Sequence, residues 1–167
     1  MADGHKTPTE LVDYIIKVGI DKATKPLFKL MLLGIFGGAF IALGGAGNII
    51  SSSTLVKTDP GFAKFLGAAV FPVGLILVVT LGAELFTSNC LLSVAFVNKK
   101  ISFTQMIRNL VTVYLFNYVG SFIVAYITVK GGSFNADSLA YLQNIATHKV
   151  DASAYALFIK GILCNVL

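Results

Sequence analysis

The residues best suited to chemistry lie in LGAELFTSN, Leu81 to Asn89, where a glutamate, a threonine, a serine and an asparagine interrupt an apolar run. AAVFPVGLILVVT precedes the stretch and CLLSVAFV follows it, so these polar groups fall where a membrane would be deepest. Unwound polar backbone survives at that depth only when buried in protein or lining a watery path, because lipid cannot satisfy free N–H and C=O groups. A broken helix also aims two half-helix ends at one spot, and the N-terminal end favours an anion. On this reasoning LGAELFTSN is a re-entrant break at a pore. The competing reading is a kink packed among neighbours, with Glu84 bonded to backbone and Thr87 to a carbonyl one turn back.

Other reactive side chains point to less. Cys90 and Cys164 sit in apolar segments without metal-type spacing and read as small buried hydrophobes. His148 and Lys149 are adjacent in a polar stretch, where each by itself reads as a solvated loop residue. Asn165 reads as a helix–helix hydrogen-bonding group, and Lys160 lies deep enough that it must snorkel or face an interface. There is no nucleophile–base pair, metal cluster or phosphate loop, so an enzyme is not expected, and no cofactor.

The elements that must position these groups are set by the solvent. The chain is 56% hydrophobic and 13% charged, with a mean hydropathy of +0.81, whereas soluble domains carry about a quarter charged residues. A soluble fold this apolar could not cover its own surface; much of the chain faces lipid. The net charge of +5 is too thinly spread to suggest nucleic acid. The first 25 or so residues are polar and lack the apolar centre of a cleavable signal.

Thr7, Pro8 and Glu10 spell a capping-box start, and Leu11, Val12, Ile15, Ile16 and Val18 then share a helical face. Residues 1–29 are therefore expected to form an amphipathic helix and basic arm, lying on the membrane or against the bundle. Residues 30–167 are the membrane domain. Leu30 to Val56 is an uncharged, glycine-rich span in which Gly34 and Gly38 form a small-xxx-small pair that admits a second backbone. Phe65 to Val97 would be roughly 50 Å long as one helix, against a hydrocarbon core of about 30 Å. Two partial helices joined by a break fit better. A basic loop runs from Asn98 to Asn109, a span from Leu110 to Val129, a polar loop with a short helix follows, and a further segment opens at Ala154. Lys6, Lys17, Lys22, Lys25 and Lys29 in the arm, with Lys99, Lys100 and Arg108 in the second connection, exceed the charge of the alternate loops. That excess favours a cytoplasmic N-terminus.

FPVGLILVVTLGAELFTSN followed by ALFIKGILCN resembles the formate–nitrite transporter family, bacterial and archaeal inner-membrane channels for small monovalent anions. The resemblance runs from about Thr7 to the last residue. It implies an all-α, aquaporin-like bundle of two inverted three-helix repeats, of which this chain holds the first and the start of the second, assembled as a homo-pentamer with a pore through each protomer. It implies that Leu85, Phe86 and Thr87 form the loop that breaks the second membrane helix, with Thr87 donating a hydrogen bond towards the pathway. Phe71 and Leu75 match positions that narrow the pore. Lys149 matches the pathway lysine, and Asn165 the asparagine of the fourth helix. The physical sense is direct: formate, nitrite or hydrosulfide crossing an apolar constriction loses hydration, and a nearby ammonium offsets part of that loss without clamping the ion. Glu84 would repel an anion, so it is expected to turn away and bond to backbone of the broken segment, or to be neutral.

The chain departs from the family in stopping within the fourth helix. Nothing matches the family's pore histidine, and Val166 stands where a tryptophan is usual. A fragment of a longer chain is the expectation. A neutral-solute facilitator of the aquaporin type would show Asn-Pro-Ala caps and a filter arginine, which are absent. A non-conducting scaffold or truncated paralogue is the other alternative.

Overall fold

The computed structural model describes residues 7–166, with side chains as far as residue 163. All regular elements among the described residues are helical. Helix α1 (Pro8–Thr24) starts as the sequence requires. The Thr7 hydroxyl accepts from the Glu10 amide at 3.3 Å, and the Glu10 carboxylate accepts from the Thr7 amide at 2.8 Å. Its inner face does not lie apart from the bundle. Ala23 packs with Leu92, Ala95 and Ile101 in a buried cluster flanked by Met106 and Leu110.

Among the described residues, three helices are long and apolar enough to cross a membrane: Leu27–Ser52, Pro60–Leu81 and Phe103–Lys130. The first is α2 (Leu27–Ser52), about 39 Å long at 1.5 Å per residue. The second comprises α3 (Pro60–Val70) and α4 (Pro72–Leu81). Phe71 between them stays right-handed helical, so the axis continues although Pro72 has no N–H to give. The third is α7 (Phe103–Lys130). Between α4 and α7 lie the short helices α5 (Phe86–Asn89) and α6 (Leu92–Val97). Beyond α7 come α8 (Ala136–Val150) and α9 (Ala154–Val166).

Helices α2 and α7 are held together by missing side chains rather than by large ones. A Cβ built on Gly38 would stand 1.9 Å from the Asn117 carbonyl oxygen, and one on Gly120 would stand 1.9 Å from that of Ile35. No side chain fits at either point. In lipid, where burying apolar surface gains little, such close backbone approach is what associates two spans. The small-xxx-small pair thus admits α7 as its second backbone.

Two expectations change. The basic connection is confined to residues 98–102, because Ser102 caps α7 with Gln105 in a second capping box. Arg108 and Asn109 are therefore helical, and the span begins seven residues before Leu110. The polar stretch after Lys130 is mostly α8, of 15 residues. Its start is pinned over the end of α2 by a buried Ser53–Ser138 hydroxyl pair at 2.9 Å and by Lys57–Asp137 at 2.5 Å.

Candidate functional site

The interruption read from LGAELFTSN is a real break, and the structure shows what holds it open. Helix α4 ends at Leu81, and Gly82 takes φ +67°, a left-handed conformation that costs glycine nothing. Ala83 donates back to the Val78 carbonyl at 3.0 Å, and Glu84 donates across to the Leu33 carbonyl of α2 at 3.1 Å. Asn117 of α7 fills the gap. Its amide nitrogen donates to the carbonyls of Gly34 (2.7 Å) and Glu84 (2.8 Å), and its oxygen accepts from the Phe86 amide (2.9 Å). One side chain thus satisfies backbone on both sides of the break, which lipid could not do.

Glu84 does not bond to the broken segment's backbone through its carboxylate, nor does it stand alone. It is 2% exposed, and Lys22 reaches it at 2.6 Å and Lys25 at 3.3 Å from the end of α1. The Lys22 ammonium also donates to Asn89 Oδ1 (2.7 Å), Asn89 donates to Asn109 Oδ1 (2.7 Å), and Asn109 donates to the Lys22 carbonyl (2.8 Å). Arg108 adds donations to the carbonyls of Ala23 (2.8 Å) and Lys25 (3.0 Å), closing the C-terminal end of α1. A buried carboxylate is tolerated because two cations and a ring of amides surround it. At the rim, a hydrogen bond from Lys25, reinforced by that ammonium's charge, holds the Asp21 carboxyl below its ordinary value. Burial works against the Lys25 charge, but its bonds to Asp21 and Glu84 outweigh burial and raise it.

Thr87 stands apart from this network. It is exposed, and among the described residues its hydroxyl has no hydrogen-bond partner, whereas the packed-kink reading requires one to a carbonyl. Phe86 turns its ring edge-on to Tyr114, with centroids 5.3 Å apart, and Leu85 is half-buried. Phe71 and Leu75, one turn apart, are 41% and 50% exposed on one face of the α3–α4 span. Phe71 lines a cavity of about 250 Å³ between α2, α3 and α8. Lys149, in the last turn of α8, lines a separate cavity of about 500 Å³ between α2 and α7, beside Gly45, Tyr118 and Phe122. The structure therefore brings Leu85, Phe86 and Thr87 together but does not bring Lys149 to the cavity that Phe71 lines. The Asn165 and Cys164 side chains lie outside those described. Cys90 is a half-buried thiol donating to the Phe86 carbonyl at 3.4 Å, and His148 and Lys160 are exposed. Among the described residues no group of His, Cys, Asp and Glu is arranged to hold a metal ion.

Sequence reasoning missed Lys22, Lys25, Asn109 and Asn117, all of which hold the break. The two asparagines carry a signal of their own: a polar amide inside an apolar span needs a partner, and each has found one.

A family model described as Formate/nitrite transporter matches residues 9–167. The formate channel FocA of Haemophilus influenzae is 40% identical over 164 residues, covering 96% of this chain and 58% of that protein. The formate channel BtFdhC of Bacillus thuringiensis is 38% identical over 165 residues, covering 98% of this chain and 63% of that protein. A solved FNT family ion channel superposes with a TM-score of 0.80 at 28% identity, over 93% of this chain and 64% of that one. The chain thus spans 58% to 63% of the length of these curated relatives.

Proposed function

The chain belongs to the formate/nitrite transporter family, and from that premise we propose that the protein conducts small monovalent anions, formate, nitrite or hydrosulfide, through a pore in each protomer of a pentamer. The proposal includes an aquaporin-like inverted-repeat bundle in a bacterial or archaeal inner membrane, with its N-terminus cytoplasmic. Its strongest support is the break at residues 82–85, where Asn117 and the Leu33 carbonyl of α2 satisfy the backbone of Glu84 and Phe86, while the neighbouring Thr87 hydroxyl has no partner among the described residues.

The mechanism follows from that contrast. An anion entering an apolar constriction at Phe71 and Leu75 sheds water, and each lost hydrogen bond must be replaced. The Thr87 hydroxyl offers a neutral donor beside the Leu85–Phe86 turn, able to stabilise the ion without trapping it. Lys149, in the separate cavity between α2 and α7, raises the anion concentration there, an effect that reaches only about one Debye length, roughly 8 Å, at physiological salt. The family match assigns Asn165 to the same pathway as an anchoring amide. Glu84, neutralised by Lys22 and Lys25, keeps its charge from opposing the ion.

Anion uptake by the full-length protein in liposomes tests this reading. Thr87→Val keeps the volume and removes one hydroxyl, so flux should fall about tenfold, the equivalent of one hydrogen bond, with the oligomer intact. Dispersal of the oligomer would make Thr87 structural and remove the pore from the break. A wild-type protein without flux for any of the three anions would leave the scaffold reading in its place.

A further inference from the structure

We propose that the cavity bounded by α2, α3 and α8 is a capture site for a small monovalent carboxylate or oxyanion, built from Asn48, Lys64 and Tyr141 and opening onto Phe71. The inference rests on the channel reading and adds to it a site away from both Lys149 and the break.

The three polar groups come from three helices and converge on one hollow of about 250 Å³. Among the described residues none of the three side chains has a hydrogen-bond or ion-pair partner, although Asn48 and Tyr141 are half-buried. The contrast with their surroundings is informative. Ser51 and Ser52 close onto the Asn48 carbonyl at 3.1 and 2.7 Å, Ser53 pairs with Ser138, Lys57 pairs with Asp137, and Asp59 caps the Phe62 amide at 3.0 Å. These neighbouring groups are matched to one another or to backbone. Those facing the hollow are left over: the Lys64 ammonium only donates, the Asn48 amide brings an NH₂ donor beside its acceptor oxygen, and the Tyr141 phenol can also donate.

The hollow exists because α3 presents small residues to α2. A Cβ on Gly67 would stand 2.9 Å from both terminal atoms of the Asn48 amide and 2.7 Å from the Ser52 hydroxyl. Glycine there lets the amide lie against α3 instead of being pushed out. Lys64 lies one turn further out on the same helix, and Phe71 lies about 10 Å deeper at 1.5 Å per residue. An ion held between the Lys64 ammonium and the Asn48 and Tyr141 donors would be partly dehydrated at the level where the apolar constriction begins. The chemistry suits a planar carboxylate or an ion such as nitrite, with two oxygens to share among three donors.

The test is the concentration dependence of formate uptake into cells carrying the full-length protein. Lys64→Gln should raise the half-saturating concentration about threefold, and Lys64→Arg should restore it. Asn48→Asp, which changes charge but not shape, should raise it about tenfold, with the maximal rate retained in each case. Unchanged half-saturation in Lys64→Gln and Asn48→Asp, with wild-type uptake intact, overturns the capture site and leaves the channel standing. A lower maximal rate at unchanged half-saturation also overturns it, because a structural role gives that pattern. Absence of uptake by the wild type is instead the failure of the channel reading. Should Lys64→Gln not reach the membrane, Tyr141→Phe carries the same readout with an expected shift of about twofold; no shift there overturns the site.

Discussion

Glu84→Gln tests the account of the break most directly, because it keeps the side chain's volume and removes only its charge. In the native protein the carboxylate side chain is 3% exposed and takes contacts of 2.6 Å from Lys22 and 3.3 Å from Lys25. At an effective dielectric of about 20, a contact near 3 Å corresponds to about 5 kcal/mol of Coulomb attraction, most of which desolvation offsets. The informative quantity is the effect of removing one partner, about 3–5 kcal/mol for a buried pair, because the other charge is stranded. Here the stranded charges are ammonium groups on side chains 19% and 16% exposed. Water relieves part of the loss, and about 2–3 kcal/mol is expected. Lys22→Met should lose less, about 1–2 kcal/mol, since Lys25 still faces the carboxylate. Reversible unfolding of the full-length protein in mixed detergent micelles gives these values. The double variant should fall short of the sum by at least about 1 kcal/mol, as residues sharing a network do. Wild-type stability in Glu84→Gln, or strict additivity with Lys22→Met, would refute the claim that α1 neutralises the break.

Two further expectations follow from packing and titration. Gly38→Val drives a side chain into the Asn117 carbonyl and should abolish the folded, monodisperse protein on size-exclusion chromatography, whereas Gly45→Ala, with nothing within 4 Å of its new Cβ, should leave it unchanged; equal behaviour of the two would break the packing argument. Asp21 has its folded pKa lowered from 3.8, so its contribution is present above 3.8 and lost as pH falls through the lower folded value. Lys25 has its folded pKa raised from 10.5, so its contribution is full below 10.5 and lost as pH rises through the higher folded value. The pair's hold on α1 is therefore flat in between, and protection of α1 from protease should not change between about pH 5 and pH 9; a change in that window that Asp21→Asn abolishes would count against it.

What the sequence reveals of this protein is whatever its local chemistry spells out. The start of α1 is legible because Thr7, Pro8 and Glu10 satisfy each other within one turn. The break is legible because polar residues inside an apolar run violate the rule for lipid, and a violation is visible without knowing what resolves it. The start of α7 was equally spelled out by Ser102 and Gln105, but neighbouring Lys99, Lys100 and Arg108 suggest a loop and mask it. Helix α8 has little apolar patterning to announce it, since much of what places it is polar, Ser138 on Ser53 and Asp137 on Lys57. The partners of Glu84 were beyond reach for a different reason. Lys22 lies 62 residues away in sequence, and nothing in a string of letters ranks one arm lysine over another as the counter-ion of a buried carboxylate.

That last point bears on how the chain divides. The division expected from hydropathy, a polar arm over residues 1–29 and a membrane domain over residues 30–167, falls inside α2, which begins at Leu27, and it invites the view that the arm is an accessory. The energetics run across that boundary. Lys22 and Lys25 belong to the arm, and the carboxylate they neutralise sits in the break beside Thr87. Asn109, on a membrane span, donates to the Lys22 carbonyl, and Arg108 beside it holds the carbonyls of Ala23 and Lys25. The arm is therefore tied down by backbone contacts as well as by charge, so its two ammonium groups stand over Glu84 in a fixed geometry rather than by chance encounter. A chain cut at residue 29 would shorten α2 at its start but keep the glycine packing of the three membrane-length helices. It would also keep a carboxylate, 2% exposed, without the two ammonium groups it faces, and such a group must find new donors or pull the break apart to reach water. The shape of the break belongs to the spans, but its neutrality comes from the arm.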